Sequence, residues 1–245
     1  MTEPKLAAYS EVSDYYDKLW SELDEKKLGG INSRHRFFLR ILKKAGLKSN
    51  SRVLEIGCGN GTLTGFIAKN LSSGKITGVD ISPETIEMAK RRYLNKYKNI
   101  DFKVSDMTDF SNPEKFDFVI FPDVLEHIPI EAHANIFRTI RANVHENSIV
   151  VINIPYPRAV EYMHKYRPEL MQIIDQALYT YPFLKAIYEN DFYVENLNTY
   201  SVFFDEPDYQ SFIVKPNKTM HEMHVKSKLK VIARSLLLRI ENFLT

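Results

Sequence analysis

The 245-residue sequence predicts a doubly wound α/β sandwich. Three observations carry that expectation. Strand-length runs rich in Val, Ile and Phe alternate with stretches of helical periodicity through the first two-thirds of the chain. Those runs are apolar nearly throughout, as strands covered on both faces must be. The intervening segments are long enough to carry a helix from one parallel strand to the next.

Residues 9–45 predict two helices, the first carrying Tyr9, Tyr15, Tyr16, Leu19, Trp20 and Leu23. A first strand over Ser51–Ile56 leads into a helix over Thr62–Leu71, and a second strand over Lys75–Asp80 into a helix over Pro83–Tyr97. Ser82 caps that helix and Pro83 occupies its first position, where a missing N–H costs nothing. Strands over Ile100–Ser105 and Phe116–Phe121 follow, then a helix over Pro129–Val144 and a fifth strand over Ser148–Ile154. Residues 156–190 interrupt the alternation: they hold seven aromatics, with helical spacing from Glu161 to Leu178. Asp191–Phe204 and Tyr209–Val214 read as two strands joined by the turn Asp205-Glu206-Pro207-Asp208, which makes seven strands. Residues 1–220 are therefore one domain, and 221–245 are a terminal helix.

Composition narrows the class further. With 44% hydrophobic and 26% charged residues, the chain is neither disordered nor collagen-like. The single cysteine, Cys58, excludes an internal disulfide framework. No apolar run approaches the roughly 20 residues of a membrane span, and MTEPKLAAYSEV lacks the apolar core of a secretory signal, so the expected location is cytoplasmic. The net charge of +2 conceals an asymmetry. Five cations against two acids give residues 221–245 a charge of +3, and the remaining 28 cations and 29 acids give −1. The tail also spaces Val225, Leu229, Ile232, Leu236, Ile240 and Phe243 along one helical face. Such a helix docks on the body, on a second subunit of a homodimer, or on an anionic membrane surface.

The most specific local feature is Val53-Leu54-Glu55-Ile56-Gly57-Cys58-Gly59-Asn60-Gly61-Thr62. A strand runs into a loop with glycine at every second position, and a helix follows. Glycine there permits positive φ and close approach of the backbone to a ligand. Asp80 ends the next strand 19 residues beyond Gly61, where an acid meets ribose hydroxyls. A dinucleotide is disfavoured, because the third glycine comes one residue early and Glu55 would repel a pyrophosphate. A ligand with a positive centre and no phosphates removes that objection.

Glu55–Thr62, Gly78–Ser82 (GVDIS), Ser105–Met107 (SDM) and Phe116–Pro129 (FDFVIFPDVLEHIP) resemble, in order, the motifs of class I S-adenosylmethionine-dependent methyltransferases. The last is particularly similar to the small-molecule enzymes of the ubiquinone-biosynthesis type. The resemblance spans about residues 33–155 and implies a Rossmann-like fold of six parallel strands and one antiparallel strand, with helices on both faces and a helical lid after the fifth strand. It also implies S-adenosyl-L-methionine as cofactor. Gly57, Gly59, Asn60 and Gly61 would shape the loop around the methionine and ribose parts, and Asp80 would take the ribose hydroxyls. Ile81 and Met107 would cover adenine, Asp106 would accept its amino group, and Glu55 and Asp123 would face the cationic end. Cys58 reads as filler. Ahead of the first strand, Arg36 or His35 would meet the cofactor's carboxylate.

Methyl transfer is an in-line displacement, so the protein supplies alignment and desolvation, with a base only where the acceptor must lose a proton. His127 is the leading base, because imidazole titrates near neutrality; its alternative is a structural histidine beside the cofactor. Tyr156 and His164 are the other catalytic candidates, in the aromatic segment expected to bind the acceptor together with Arg158, Tyr162, Tyr166 and Arg167. Tyr15, Tyr16 and Trp20 would form the opposite wall. The expected acceptor is an oxygen or nitrogen of a small molecule, not a nucleic acid. Competing readings are RNA or protein methylation and a non-catalytic cofactor-binding scaffold; no basic stripe and no N-P-P-Y-type motif favours the RNA reading. No metal site is expected, the pair His221 and His224 reading as solvated.

Overall fold

The structure is a computed structural model that describes residues 9–22, 30–172, 174–219 and 226–241. Its centre is a seven-stranded sheet in the order β3-β2-β1-β4-β5-β7-β6. The strands are β1 (Arg52–Ile56), β2 (Lys75–Asp80), β3 (Ile100–Val104), β4 (Phe116–Pro122), β5 (Val144–Pro155), β6 (Phe192–Tyr200) and β7 (Tyr209–Pro216). The first five run parallel, while β7 is antiparallel to both neighbours, so six strands share one direction. The chain starts in the middle at β1, moves outward to β3, then returns to β4 on the other side of β1. That reversal opens a crevice at the carboxyl ends of β1 and β4, where open α/β sheets bind ligands.

Alternate strand residues feed two apolar layers. Leu54, Ile56, Val119 and Phe121 join one layer, and Val53, Phe118 and Ile120 the other, which is why these strands show no polar face. The first layer is closed by α5 (Ile130–Asn143) and α7 (Thr180–Tyr188), with Phe137, Phe183, Phe192 and Phe212 all fully buried. The second is closed by α2 (Ser33–Lys44), α3 (Thr62–Ala68) and α4 (Pro83–Tyr93) through Phe38, Leu42, Ile67 and Ile86. α2 opens on a reciprocal cap: Asn32 Oδ1 accepts the His35 amide at 3.1 Å, and His35 Nδ1 accepts the Asn32 amide at 3.2 Å. α4 starts as expected, with the Ser82 hydroxyl accepting the Thr85 amide at 3.0 Å.

Two segments depart from the sequence expectation. The helix anticipated from Glu161 to Leu178 is instead α6 (Pro157–Tyr166), followed by a single 3-10 turn at Pro168–Leu170 and irregular chain. Pro168 forces Arg167 out of helical geometry (φ −140°, ψ 49°) and ends the helix there. β6 stops at Tyr200, short of Phe204, because the Asp208 carboxylate accepts the amides of Val202 (2.7 Å) and Phe203 (2.8 Å) and takes them from the ladder. α1 (Tyr9–Glu22) lies over α4, where the Ser82 hydroxyl donates to Asp17. α8 (Lys228–Glu241) has every described side chain from Lys228 to Leu237 exposed. His221, His224, Val225, Phe243 and the side chains of Tyr16 and Trp20 lie outside the described residues. No helix among the described residues is long and apolar enough to cross a membrane.

Candidate active site

The glycine loop leaves β1 under tight steric constraint. Gly57, Gly59 and Gly61 all have positive φ, at 67°, 51° and 75°. A Cβ on Gly57 would stand 2.4 Å from Val124 Cγ2, so the loops after β1 and β4 touch through this glycine. Gly61 acts differently from its neighbours. It caps α3 against Phe102 and Tyr93 and does not line the crevice. The Cys58 amide donates to the Val79 carbonyl at 2.9 Å, which stitches the loop to β2. Burial pushes the Cys58 thiol up, so it is a poor nucleophile and packs as filler.

Asp80 joins this loop to α4. One carboxylate oxygen accepts the Gly59 amide at 2.8 Å, the other the Ser82 amide at 3.1 Å. Each oxygen keeps a further lone pair. Glu55 is 1% exposed, and its Oε2 accepts the Thr64 hydroxyl at 2.6 Å. Burial pushes the Glu55 carboxyl up to about 8, against the pull of Thr64. Along the next strand end, Asp106 Oδ1 accepts from the Thr108 amide (2.9 Å) and hydroxyl (2.7 Å), and Met107, at φ 66°, is buried. Glu55, Asn60, Asp80, Ile81, Asp106 and Met107 all line one cavity of about 960 Å³.

On the other side of the crevice, α2 presents Arg34, not Arg36. Arg36 is exposed and off the cavity; two residues along a helix is a rotation of about 200°. The Arg34 guanidinium meets Asp123 Oδ2 at 2.8 Å, while Asn153 Nδ2 donates to Asp123 Oδ1 at 2.8 Å. Asp123 itself sits at φ 59°, and burial pushes its carboxyl up while Arg34 and Asn153 pull against that. His35 lines the cavity too, and burial next to Arg34 lowers it to about 4, so it is neutral.

His127 and Glu126 follow in a short 3-10 turn, Leu125–His127, which the buried His133 pins by its Nε2 to the Leu125 and Ile128 carbonyls. His133 is therefore interior. His127 Nδ1 lies 2.7 Å from the Ile174 carbonyl and 2.9 Å from Asp175 Oδ1, both on the segment after α6. Burial alone would lower His127, but Asp175 and Glu126 outweigh it and lift it to about 9. Glu126 is 2% exposed, and its Oε2 has no hydrogen-bond partner among the described residues. Burial pushes its carboxyl up to about 8, with His127 opposing. The signs follow. Glu55 and Glu126 contribute stability fully present below their unfolded value of 4.5 and lost as pH rises through about 8. His127 contributes below 6.5 and ceases to as pH rises through about 9.

The lid side of the cavity differs from the expectation. Tyr156 and His164 do not line it. His164 is exposed, with Nε2 at 2.7 Å from the Asp175 carbonyl. Because α6 begins at Pro157, its inward face is Ala159, Val160 and Met163, and Arg158, Tyr162, Tyr166 and Arg167 face solvent. Val12 of α1 reaches the cavity, and Tyr15 does not line it. Polar groups arrive instead from Gln172 and Asp175, and aromatic ones from Phe203 and Phe204 in the turn before β7 and from Tyr209 at its start, all lining the cavity. Sequence reasoning missed Arg34, Glu126, Asp175 and this aromatic turn. The one signal available was Glu126 itself, an acid inside an otherwise apolar run beside His127.

Residues 47–203 match a family model described as a methyltransferase domain. The chain is 31% identical over 140 residues to a ubiquinone biosynthesis O-methyltransferase of Xylella fastidiosa, covering 50% of this chain and 54% of that one. It is 27% identical over 139 residues to a ribosomal protein L11 methyltransferase of Dictyoglomus turgidum, covering 56% and 46%. The matched stretch thus spans about half the length of these curated relatives. Among solved structures, the fold is similar to that of magnesium protoporphyrin IX methyltransferase from Synechocystis PCC 6803 with bound SAH, at a TM-score of 0.66 and 18% identity, over 86% of this chain and 100% of that one.

Proposed function

The chain belongs to the class I S-adenosylmethionine-dependent methyltransferases, and from that membership we propose that it methylates an oxygen or nitrogen of a small molecule. The observation that carries the reading is the cavity of about 960 Å³ in which the glycine loop, Asp80 and the Glu126–His127 turn meet. That volume stands at the upper end of small-molecule sites, about 300–1,000 Å³, and so has room for a nucleoside-sized cofactor and a compact acceptor together. Its lid wall sets the polar Gln172 and Asp175 among the apolar Val160, Met163 and Met171, the few-polar-groups-on-apolar-lining pattern of small-ligand sites.

The residues present fit the cofactor. A Cβ on Gly57 would overlap Val124, Asp80 offers spare lone pairs at a strand end, and the buried Glu55 lines the same cavity. When bound, S-adenosylmethionine supplies an activated methyl group. Asp80 would hold the ribose hydroxyls, Ile81 and Met107 the adenine faces, and Asp106 its amino group. Arg34, already at the Asp123 carboxylate, is the cation placed to meet the cofactor's own carboxylate. His127, anchored through Nδ1 by Asp175 and the Ile174 carbonyl and with Nε2 3.3 Å from the Gln172 side-chain amide, would position the acceptor beside it.

Incubating the purified protein with methyl-labelled cofactor and a deproteinised metabolite extract is expected to label a small product. Label appearing only in added protein or RNA would overturn the small-molecule reading. The protein alternative rests on the relative named for ribosomal protein L11.

The basic terminal helix supports a second part of the reading. On α8 the apolar residues Leu229, Ile232 and Leu236 lie on one arc, with Lys228 to one side and Lys230 and Arg234 to the other, all exposed. Cations flanking an apolar arc match an anionic bilayer surface, each contributing about 1 kcal/mol there. We place the protein in the cytoplasm, touching that surface through α8. The intact chain is expected to float with phosphatidylserine vesicles and a chain ending at Met220 to stay behind. Equal flotation of the two would remove the membrane from the proposal.

A further inference from the structure

Glu126 stands apart from every other acid in the crevice. Asp80, Asp106, Asp123 and Glu55 each accept hydrogen bonds from the chain, and Asp175 meets His127. Glu126 is 2% exposed, yet its Oε2 has no partner among the described residues, and its Oε1 comes only within 3.8 Å of His127 Nε2. An unpaired buried carboxyl oxygen costs free energy that is recovered when a donor reaches it.

Position and rigidity say which ligand. The turn carrying Glu126 is held from three sides: the Gln176 amide donates to the Glu126 carbonyl at 3.0 Å, His133 pins Leu125 and Ile128, and Val124 abuts Gly57 of the cofactor loop. Glu126 lines the cavity at the junction between the glycine loop and the lid wall, with Gln172 and Asp175 beside it and its Oε2 buried just behind the surface. A group there faces the acceptor side of the crevice. Resting on the methyltransferase reading above, we propose that Glu126 is the acceptor-recognition residue, and that it selects acceptors whose reacting group carries an N–H or O–H donated to Glu126 Oε2. Neighbouring His127 Nε2 lies 3.3 Å from the Gln172 side-chain amide and borders the same point, so the group read there is one with an N–H or O–H to give, an amine or a hydroxyl. A thioether or a carbon acceptor with no donor leaves the carboxyl oxygen unpaired and is rejected.

The test needs no identified acceptor. Sinefungin carries an amine in place of the transferable methyl, whereas S-adenosylhomocysteine carries nothing there. Calorimetry is expected to show the wild-type protein binding sinefungin at least about 10-fold more tightly than S-adenosylhomocysteine. Glu126→Gln should lose that preference while binding S-adenosylhomocysteine within about 3-fold of wild type. Glu126→Asp, which keeps the carboxyl but withdraws it by one methylene, should fall between. A sinefungin preference that survives in Glu126→Gln, or that wild type never shows, overturns the assignment and leaves the methyltransferase reading intact. Loss of S-adenosylhomocysteine binding in both variants makes Glu126 a structural prop and overturns it as well. Failure of the wild-type protein to bind either compound overturns the cofactor reading itself.

Discussion

Replacing Asp80 with alanine is expected to abolish cofactor binding, by about 10² to 10⁴ in affinity. The magnitude follows from two hydroxyl donors on a buried carboxylate at about 1.5–3 kcal/mol each. Alanine also strips the Gly59 and Ser82 amides of their acceptor, so the loop loses the brace that holds it open. The same variant should remain folded. Burial pushes the Asp80 carboxyl up, which means that the free protein already tolerates this charge reluctantly, and its loss removes a desolvation cost along with two hydrogen bonds. Calorimetry with S-adenosylhomocysteine and thermal unfolding, run side by side, separate the two effects. The conservative change Asp80→Asn retains the shape with weaker acceptors and should lose less. Unchanged binding in Asp80→Ala would refute the role given to the end of β2.

The fold was legible because its determinants are local. Doubly covered strands must be apolar on both sides, and Leu54 and Val53 show the reason by entering opposite layers. Asp80 could be placed because the strand–glycine loop–helix unit fixes its distance from Gly61. The lid could not, because helix phase decides it. The start of α6 at Pro157 sets its phase, so Met163 turns inward and His164 outward. Arg34 and Arg36 pose the same problem on α2, where a cap at Asn32 sets which of two nearby cations reaches the crevice. Asp175 is harder still. It lies 48 residues from His127 in sequence, and only the tertiary fold brings the two within 2.9 Å. Local rules thus anticipated the cavity wall from Glu55 to Met107, whereas the opposite wall depends on long-range packing.

Gly57→Ala tests the contact on which both sides of that crevice depend. At φ 67° an alanine pays roughly 1–2 kcal/mol for left-handed backbone. Its Cβ would also stand 2.4 Å from Val124 Cγ2 and 3.0 Å from Cγ1, an overlap worth about 1–3 kcal/mol in a packed site. The variant should therefore be less stable by about 2–5 kcal/mol in urea unfolding. The two contributions can be told apart, because only the overlap involves Val124. In Gly57→Ala with Val124→Ala, the overlap with the two methyl groups is removed, a tight 3.3 Å contact with the Val124 Cβ position and the backbone cost remain, and the pair should show a favourable coupling of about 1–3 kcal/mol relative to the sum of the single changes. Function should follow the same division. Where Val124 is displaced, the turn bearing Glu126 and His127 moves with it, and both S-adenosylhomocysteine binding and the sinefungin preference should fall. In the double variant the preference should return ahead of full stability. Strictly additive stabilities would mean that the loops after β1 and β4 do not constrain each other, and the geometric link between cofactor loop and acceptor turn would be lost with them.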